Sequence, residues 1–186
     1  MTLQPAKPRV LVVDDNPLNR SAFEALLEPA YTVSTAESGR QALELTLREE
    51  FAVILLDVRM PVMDGLETAE LLRKRDRTRQ TPIIFITSYD PSIVQIRRGY
   101  VAGATDFLTS PVDQEVLLFK VGAFAQLFLR NETLRAQINR LNSLVEALQV
   151  ESAMRSNLGE GAFKSTISQL ESAIQEVQRQ MSASPQ

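Results

Sequence analysis

Short β-branched runs recur along the first part of the chain, and each ends in polar residues. Arg9–Val13 leads into Asp14 and Asp15, Phe51–Leu56 into Asp57, Ile83–Ile86 into Thr87 and Ser88, and Thr105–Leu108 into Thr109, Ser110 and Pro111. Apolar runs of this length, bounded by turn residues, predict buried strands, and Tyr31–Thr35 predicts a further one. Between them Asn16–Glu28, Gly39–Glu50, Asp64–Arg75 and Pro91–Ala102 carry helical spacing. Strands alternating with helices predict an α/β fold with a doubly wound, five-stranded parallel sheet.

In such a sheet ligands bind in the crevice beyond the carboxyl ends of the strands, so topology alone brings Asp14, Asp15, Asp57 and Thr87 to one pocket. Three neighbouring carboxylates repel one another, and a raised pKa or a hard cation with oxygen ligands relieves that repulsion. Mg²⁺ or Mn²⁺ is the expected ion. With the charge screened, a carboxylate can take up a phosphoryl group as an acyl phosphate, and Asp57 is best placed for it. Taken singly, each acid is equally a strand end or a helix cap: Asp15 or Asn16 before one helix, Asp64 before Gly65. The set together is harder to explain that way.

Val13-Asp14-Asp15-Asn16, the block Leu56-Asp57-Val58-Arg59-Met60-Pro61-Val62-Met63-Asp64-Gly65, Thr87-Ser88-Tyr89 and Gly103-Ala104-Thr105-Asp106-Phe107 resemble the receiver domain of two-component response regulators, over roughly Arg9 to Leu129. The resemblance implies a flavodoxin-like fold with Asp57 as phosphoacceptor. It implies a metal held by Asp14, Asp15, Asp57 and the backbone carbonyl of Arg59. It also makes Thr87 the hydroxyl that binds the phosphoryl group and Phe107 the aromatic switch. Arg59 and Tyr89 fall at positions that influence phosphoryl lifetime in the family. Pro111 matches a family proline, and a cis Ser110–Pro111 peptide is implied.

Ser110 stands where the family carries a lysine. An ammonium there would offset carboxylate charge and donate to phosphoryl oxygens; a neutral hydroxyl does much less. Heavier dependence on divalent metal, slower phosphorylation and poorer coupling to the distant surface are expected. Three readings fit Ser110: a divergent receiver, a receiver that has become a binding platform, and an engineered substitution. Arg59 is either a cation at the pocket mouth or a solvated loop arginine.

Composition narrows the classes. The chain has 186 residues, formal net charge −3, and neither cysteine nor histidine. Disulfides, thiolate metal sites, phosphohistidine donation and Ser-His hydrolysis are thereby excluded. Arg73, Lys74, Arg75, Arg77 and Arg79 cluster at a helix end, where cations suit the dipole, and predict no nucleic-acid surface. No apolar run spans a bilayer and Met1–Pro8 is too short for a signal peptide, so a cytoplasmic protein without membrane contact is expected.

From Phe124 onward Leu127, Asn131, Leu134, Ile138, Leu141, Val145 and Leu148 alternate at spacings of three and four. No proline or glycine interrupts Ala123–Asn157, so the last receiver helix is expected to continue outward, about 45 residues counted from Asp113 spanning roughly 65 Å. With the leucines at d and Asn131, Ile138 and Val145 at a, the pattern predicts a parallel homodimeric coiled coil with Asn131 fixing register. The alternative folds this helix onto its own receiver or onto the next helix. Phe163, Ile167, Leu170, Ile174, Val177 and Met181 resume the spacing after Gly159 and Gly161, so a second helix is expected, either folding back on the first to make a four-helix bundle in the dimer or continuing as a second coiled coil after a kink.

The expected organisation is a flexible segment 1–8, a receiver over 9–129, a helical extension over 130–158, a joint at 159–162, a second helix over 163–181 and a frayed tail at 182–186. The expected activity is that of a phosphoacceptor without a separate catalytic domain, served by a histidine kinase or phosphotransfer protein. The alternative is a phosphorylation-independent pseudo-receiver scaffold. A haloacid-dehalogenase-like phosphohydrolase would want a second acid two residues after its nucleophile, where Arg59 stands.

Overall fold

The computed structural model describes residues 7–87, 93–155 and 161–182. Ser88 and Tyr89, most of the segment 1–8, Gly159 and the tail from 183 lie outside the described residues. Five parallel strands, β1 (Arg9–Val13), β2 (Thr32–Ala36), β3 (Val53–Asp57), β4 (Ile83–Thr87) and β5 (Asp106–Thr109), form one sheet in the order β2-β1-β3-β4-β5. The helices are α1 (Pro17–Leu27), α2 (Gly39–Arg48), α3 (Gly65–Arg73), α4 (Ile93–Ala102), α5 (Gln114–Arg155) and α6 (Gly161–Ser182).

Alternation along the central strands feeds a core on each face of the sheet. Leu11, Val13, Ile54, Leu56, Ile83 and Phe85 pack with Ala42, Leu43, Ala69, Leu72 and Ala102 of α2, α3 and α4. Val10, Val12, Val53, Leu55, Ile84 and Ile86 pack with Leu27 of α1 and Leu117 and Val121 of α5. With both faces covered, continuous apolar runs rather than alternating ones are what the central strands require.

The helices on the site side start on side-chain caps. Asn16, Ser38 and Asp64 accept from the N–H groups of Leu18, Gln41 and Glu67. The cap before α1 is therefore Asn16, which leaves the side chain of Asp15 out of the capping role. The Ser110–Pro111 peptide is cis.

Contacts divide the chain into two units, one up to Leu129 and one from Arg130. In the second, Ile138 and Val145 of α5 are buried with Ile167 and Ile174 of α6, with Leu148 packed against them. The 156–160 connection is short, so such contacts require α6 to run back antiparallel along α5. This corrects the seam read from sequence. Ile138 and Val145 are spent on a hairpin within the chain and are not available as a positions of a two-stranded parallel coil. Leu127, Asn131 and Leu141 are exposed and Leu134 is half-buried. The second correction is local: Gly161 opens α6 instead of belonging to the joint.

Candidate functional site

Register places the acids. Val13 pairs with Leu56 and with Ala36, so the residues that follow, Asp14 and Asp57, leave the same edge of the sheet side by side. Asp14, Asp15 and Asp57 each offer a carboxylate oxygen, and these oxygens lie within 4.8 Å of one another. Asp14 is buried at 1% exposure, Asp57 is half-buried and Asp15 is exposed.

Asp14 is held tightly. Its Oδ1 accepts from the Asn16 N–H at 2.8 Å and its Oδ2 from Asn19 Nδ2 at 2.9 Å. Arg20 Nη1 donates to the carbonyl oxygens of Asp14 at 2.7 Å and Asp15 at 3.1 Å, placing a guanidinium behind the acidic pair. Neither Asn19 nor Arg20 stood out in the sequence. The signal was there, since both sit one turn past Asn16, where helical side chains lean back over the N-terminus.

Asp57 has the opposite surroundings. Burial pushes its pKa up to about 6, the N–H of Arg59 partly offsets this through a hydrogen bond to Oδ1 at 3.3 Å, and the charges of Asp14 and Asp15 raise it further. Proton uptake by a carboxyl raised in this way stabilises the cation-free fold below about pH 4, and that contribution is lost as pH rises through about 6. A bound cation reverses the balance by favouring the charged form.

The loop after β3 is shaped around Asp57. Val62 adopts φ 69°, and the N–H of Gly65 donates to the carbonyl of Val58 at 3.0 Å. A Cβ at Gly65 would overlap the carbonyl oxygen of Asp57, so glycine is needed there for close approach of the helix start to the strand end.

Thr87 closes β4 at 9% exposure, pairs across to Thr109, and its carbonyl accepts from the N–H of Ser110 at 2.8 Å. Thr87 and Ser110 are thus tied together at the strand-end edge, with Ser110 exposed. Phe107 lies further down β5, packed against Phe85 at 5.7 Å and edge-on to Tyr100 at 4.9 Å between ring centroids. Gly99 makes room for that ring, since a Cβ there would overlap it. Gly99 and Tyr100 were not legible as site residues, because only the β5 to α4 packing reveals their contact.

Asp14, Asp15, Asp57, Thr87 and Ser110 therefore gather at the sheet's C-terminal edge, Arg59 sits exposed beside Asp57, and Phe107 stands apart in the β5–α4 layer. Tyr89 lies outside the described residues. The candidate dimer residues belong to α5 and are remote from this edge in sequence.

The response regulator receiver domain profile matches residues 10–122. The chain belongs to the response regulator receiver domains, proteins of two-component signalling. Among known proteins it is similar to the response regulator PleD of Caulobacter vibrioides, 40% identical over 128 residues, covering 68% of this chain and 28% of PleD. It spans little more than a quarter of that relative's length. Among solved structures it resembles the chemotaxis protein CheY4 of Vibrio cholerae, with a TM-score of 0.61 and 35% identity over 64% of this chain and 99% of that one. It also resembles the receiver domain of the sensor histidine kinase PA1611 from Pseudomonas aeruginosa PAO1, with a TM-score of 0.59 and 29% identity over 65% and 99% of the two chains. That structure carries a magnesium ion coordinated in its active-site cleft. Among the described residues no helix is long and apolar enough to cross a membrane.

Proposed function

We propose that the protein accepts a phosphoryl group on Asp57 from a histidine kinase or phosphotransfer protein in the cytoplasm, and signals through its helical extension as a homodimer. The observation that carries this reading is the convergence of the Asp14, Asp15 and Asp57 carboxylates at the strand-end edge. A compact set of hard oxygen donors, with Asp57 disfavoured as an anion by burial and by its neighbours, fits Mg²⁺ or Mn²⁺. Asp14, Asp15, Asp57 and the backbone carbonyl of Arg59 would hold the ion. Bound there, it neutralises carboxylate repulsion and the charge of the phosphoryl oxygens.

The chain's own residues do the rest. A carboxylate oxygen of Asp57 attacks the phosphorus of a phosphohistidine; the P–N bond breaks and the electron pair leaves with the partner's imidazole, which takes up a proton. Asn19 and the Asn16 N–H keep Asp14 aimed at the pocket. Thr87 supplies a hydroxyl to the phosphoryl oxygens, and Phe107, seated between Phe85 and Tyr100, relays the change towards α4. The reading is tested by incubating the full chain with a small acyl phosphate and following intact mass. One phosphoryl adduct forms with Mg²⁺ and none with excess chelator.

Ser110 favours a second reading, a pseudo-receiver scaffold, because the cation that would complete the pocket is missing from this position. The two readings part on Ser110→Lys. An ammonium donating to the phosphoryl group contributes about 1.5–3 kcal/mol, so the phosphoacceptor reading expects the adduct to form roughly 10- to 100-fold faster in Ser110→Lys, from a wild-type rate that is already measurable. A wild type that stays unmodified while Ser110→Lys reacts supports the scaffold.

A further inference from the structure

Asp14 and Asp15 are restrained in different ways. The carboxylate of Asp14 is held directly, by the Asn16 N–H and by Asn19. The carboxylate of Asp15 is exposed and, among the described residues, accepts no hydrogen bond. Its direction is set by its main chain, and there Arg20 intervenes. Arg20 Nη1 donates to the Asp14 carbonyl at 2.7 Å and to the Asp15 carbonyl at 3.1 Å. Among the described residues no backbone N–H reaches either of these oxygens, which lie between the end of β1 and the start of α1.

Arg20 belongs to the first turn of α1, where its own N–H bonds to the Asn16 carbonyl at 3.2 Å. From that position its half-buried side chain leans back over the helix start. Charge alone is a poor reason for a guanidinium here. It offsets the acids, but it opposes the positive end of α1 and repels the divalent ion that the acids would hold. Geometry is the better reason, since one nitrogen gathers two otherwise unbonded carbonyls.

We infer that Arg20 is a positioning residue for the cation. By clamping the two carbonyls it fixes the Asp14–Asp15 turn, and through that turn the direction in which the Asp15 carboxylate meets the ion. This rests on the phosphoacceptor reading above, in which Asp15 is a ligand, and adds a determinant of metal binding that lies outside the carboxylates. Ser110 gives the clamp more weight, because a pocket without an ammonium depends more on its ion. Outer hydrogen bonds that orient metal ligands cost about 10- to 100-fold in affinity when they are removed.

The test is the affinity of the full chain for Mn²⁺, read from the electron paramagnetic resonance of the free ion with no phosphoryl donor present. Wild type, Arg20→Met, Asp15→Asn and the double variant are compared at one ionic strength. A guanidinium acting only as a charge repels the ion, so its removal tightens binding by the same factor in both backgrounds. A clamp matters only while there is a carboxylate to aim. Arg20→Met is therefore expected to weaken binding about tenfold where Asp15 is kept, and to leave it unchanged or tighter in the Asp15→Asn background. If circular dichroism shows that Arg20→Met has lost its fold, Arg20→Lys takes its place in the same comparison. It keeps the charge without the planar fork, and a loss of roughly threefold, again only where Asp15 is kept, is expected. Equal factors in the two backgrounds overturn the clamp and leave the three carboxylates as the metal site. A wild type that binds no Mn²⁺ overturns the metal site and this inference together.

Discussion

Asp57→Ala is expected to lose the phosphoryl adduct altogether, a fall of at least about 100-fold, because removing a nucleophile leaves only binding and electrostatics to act. The neighbouring acids do not substitute for it. Asp14 is buried, and both of its oxygens already accept hydrogen bonds, from the Asn16 N–H and from Asn19. Asp15 is exposed and follows the strand end by one more residue than Asp14, so its oxygens contribute charge and ligation at the edge of the cluster. The same substitution removes one of the three converging carboxylates, so Mg²⁺ binding weakens with it. Intact mass read at equal Mg²⁺ and donor concentration checks the loss, and a variant that still takes up one phosphoryl group at the wild-type rate would place the chemistry elsewhere.

Arg73→Met is expected to cost about 3–5 kcal/mol of stability while leaving the acidic cluster itself untouched. Arg73 Nε and Nη2 donate to the Gly103 carbonyl at 3.1 and 2.7 Å, and Nη1 donates to the carbonyls of Thr78, Arg79 and Thr81 at 3.0, 3.1 and 2.7 Å. The guanidinium is sufficiently buried that its pKa is lowered. One side chain therefore satisfies four carbonyls and ties the end of α3 to the segment entering β4 and to the turn before β5. Each hydrogen bond to a charged group contributes about 1.5–3 kcal/mol, though such bonds are not additive, and methionine leaves the carbonyls without that donor. Gly103 takes part for a steric reason: at φ 102° it accepts a backbone that side chains rarely adopt, and a Cβ there would crowd Arg73. Arg40, exposed and 3.9 Å from Glu44, is the control; Arg40→Ala costs about 0.5 kcal/mol or less. Urea unfolding of the two variants checks the contrast. Equal midpoints would mean that water takes over the four carbonyls.

The strand order and the meeting of Asp14, Asp15 and Asp57 were legible because both follow from short-range rules: apolar runs bounded by turn residues, and carboxylates at the ends of parallel strands. Helix starts were partly legible. Asp64 reads as a cap in the sequence and is one, whereas the choice between Asp15 and Asn16 needed the geometry. What the sequence left open was the partner of the C-terminal apolar positions. A spacing of three and four says that Ile138 and Val145 face a helix; it does not say whose. The 156–160 connection is short enough to bring the chain's own α6 back, and an intramolecular partner needs no second molecule to be recruited. Arg73 was read as part of a basic helix end, and only Lys74 beside it is simply exposed, since Arg75 donates to the Leu43 carbonyl at 2.6 Å and Arg77 to that of Leu47 at 2.7 Å. The role of Arg73 depends on carbonyls as far away in sequence as Gly103, which no local pattern carries.

The most direct test of the account is to locate the phosphoryl group. The full chain is incubated with Mg²⁺ and a small acyl phosphate and reduced with borohydride, which converts an aspartyl phosphate to homoserine, and is then digested with trypsin. The account expects homoserine at position 57, in the peptide running from Glu49 to Arg59, and nowhere else. Homoserine at position 14 or 15, or an unmodified chain under conditions where Ser110→Lys is converted, would contradict it.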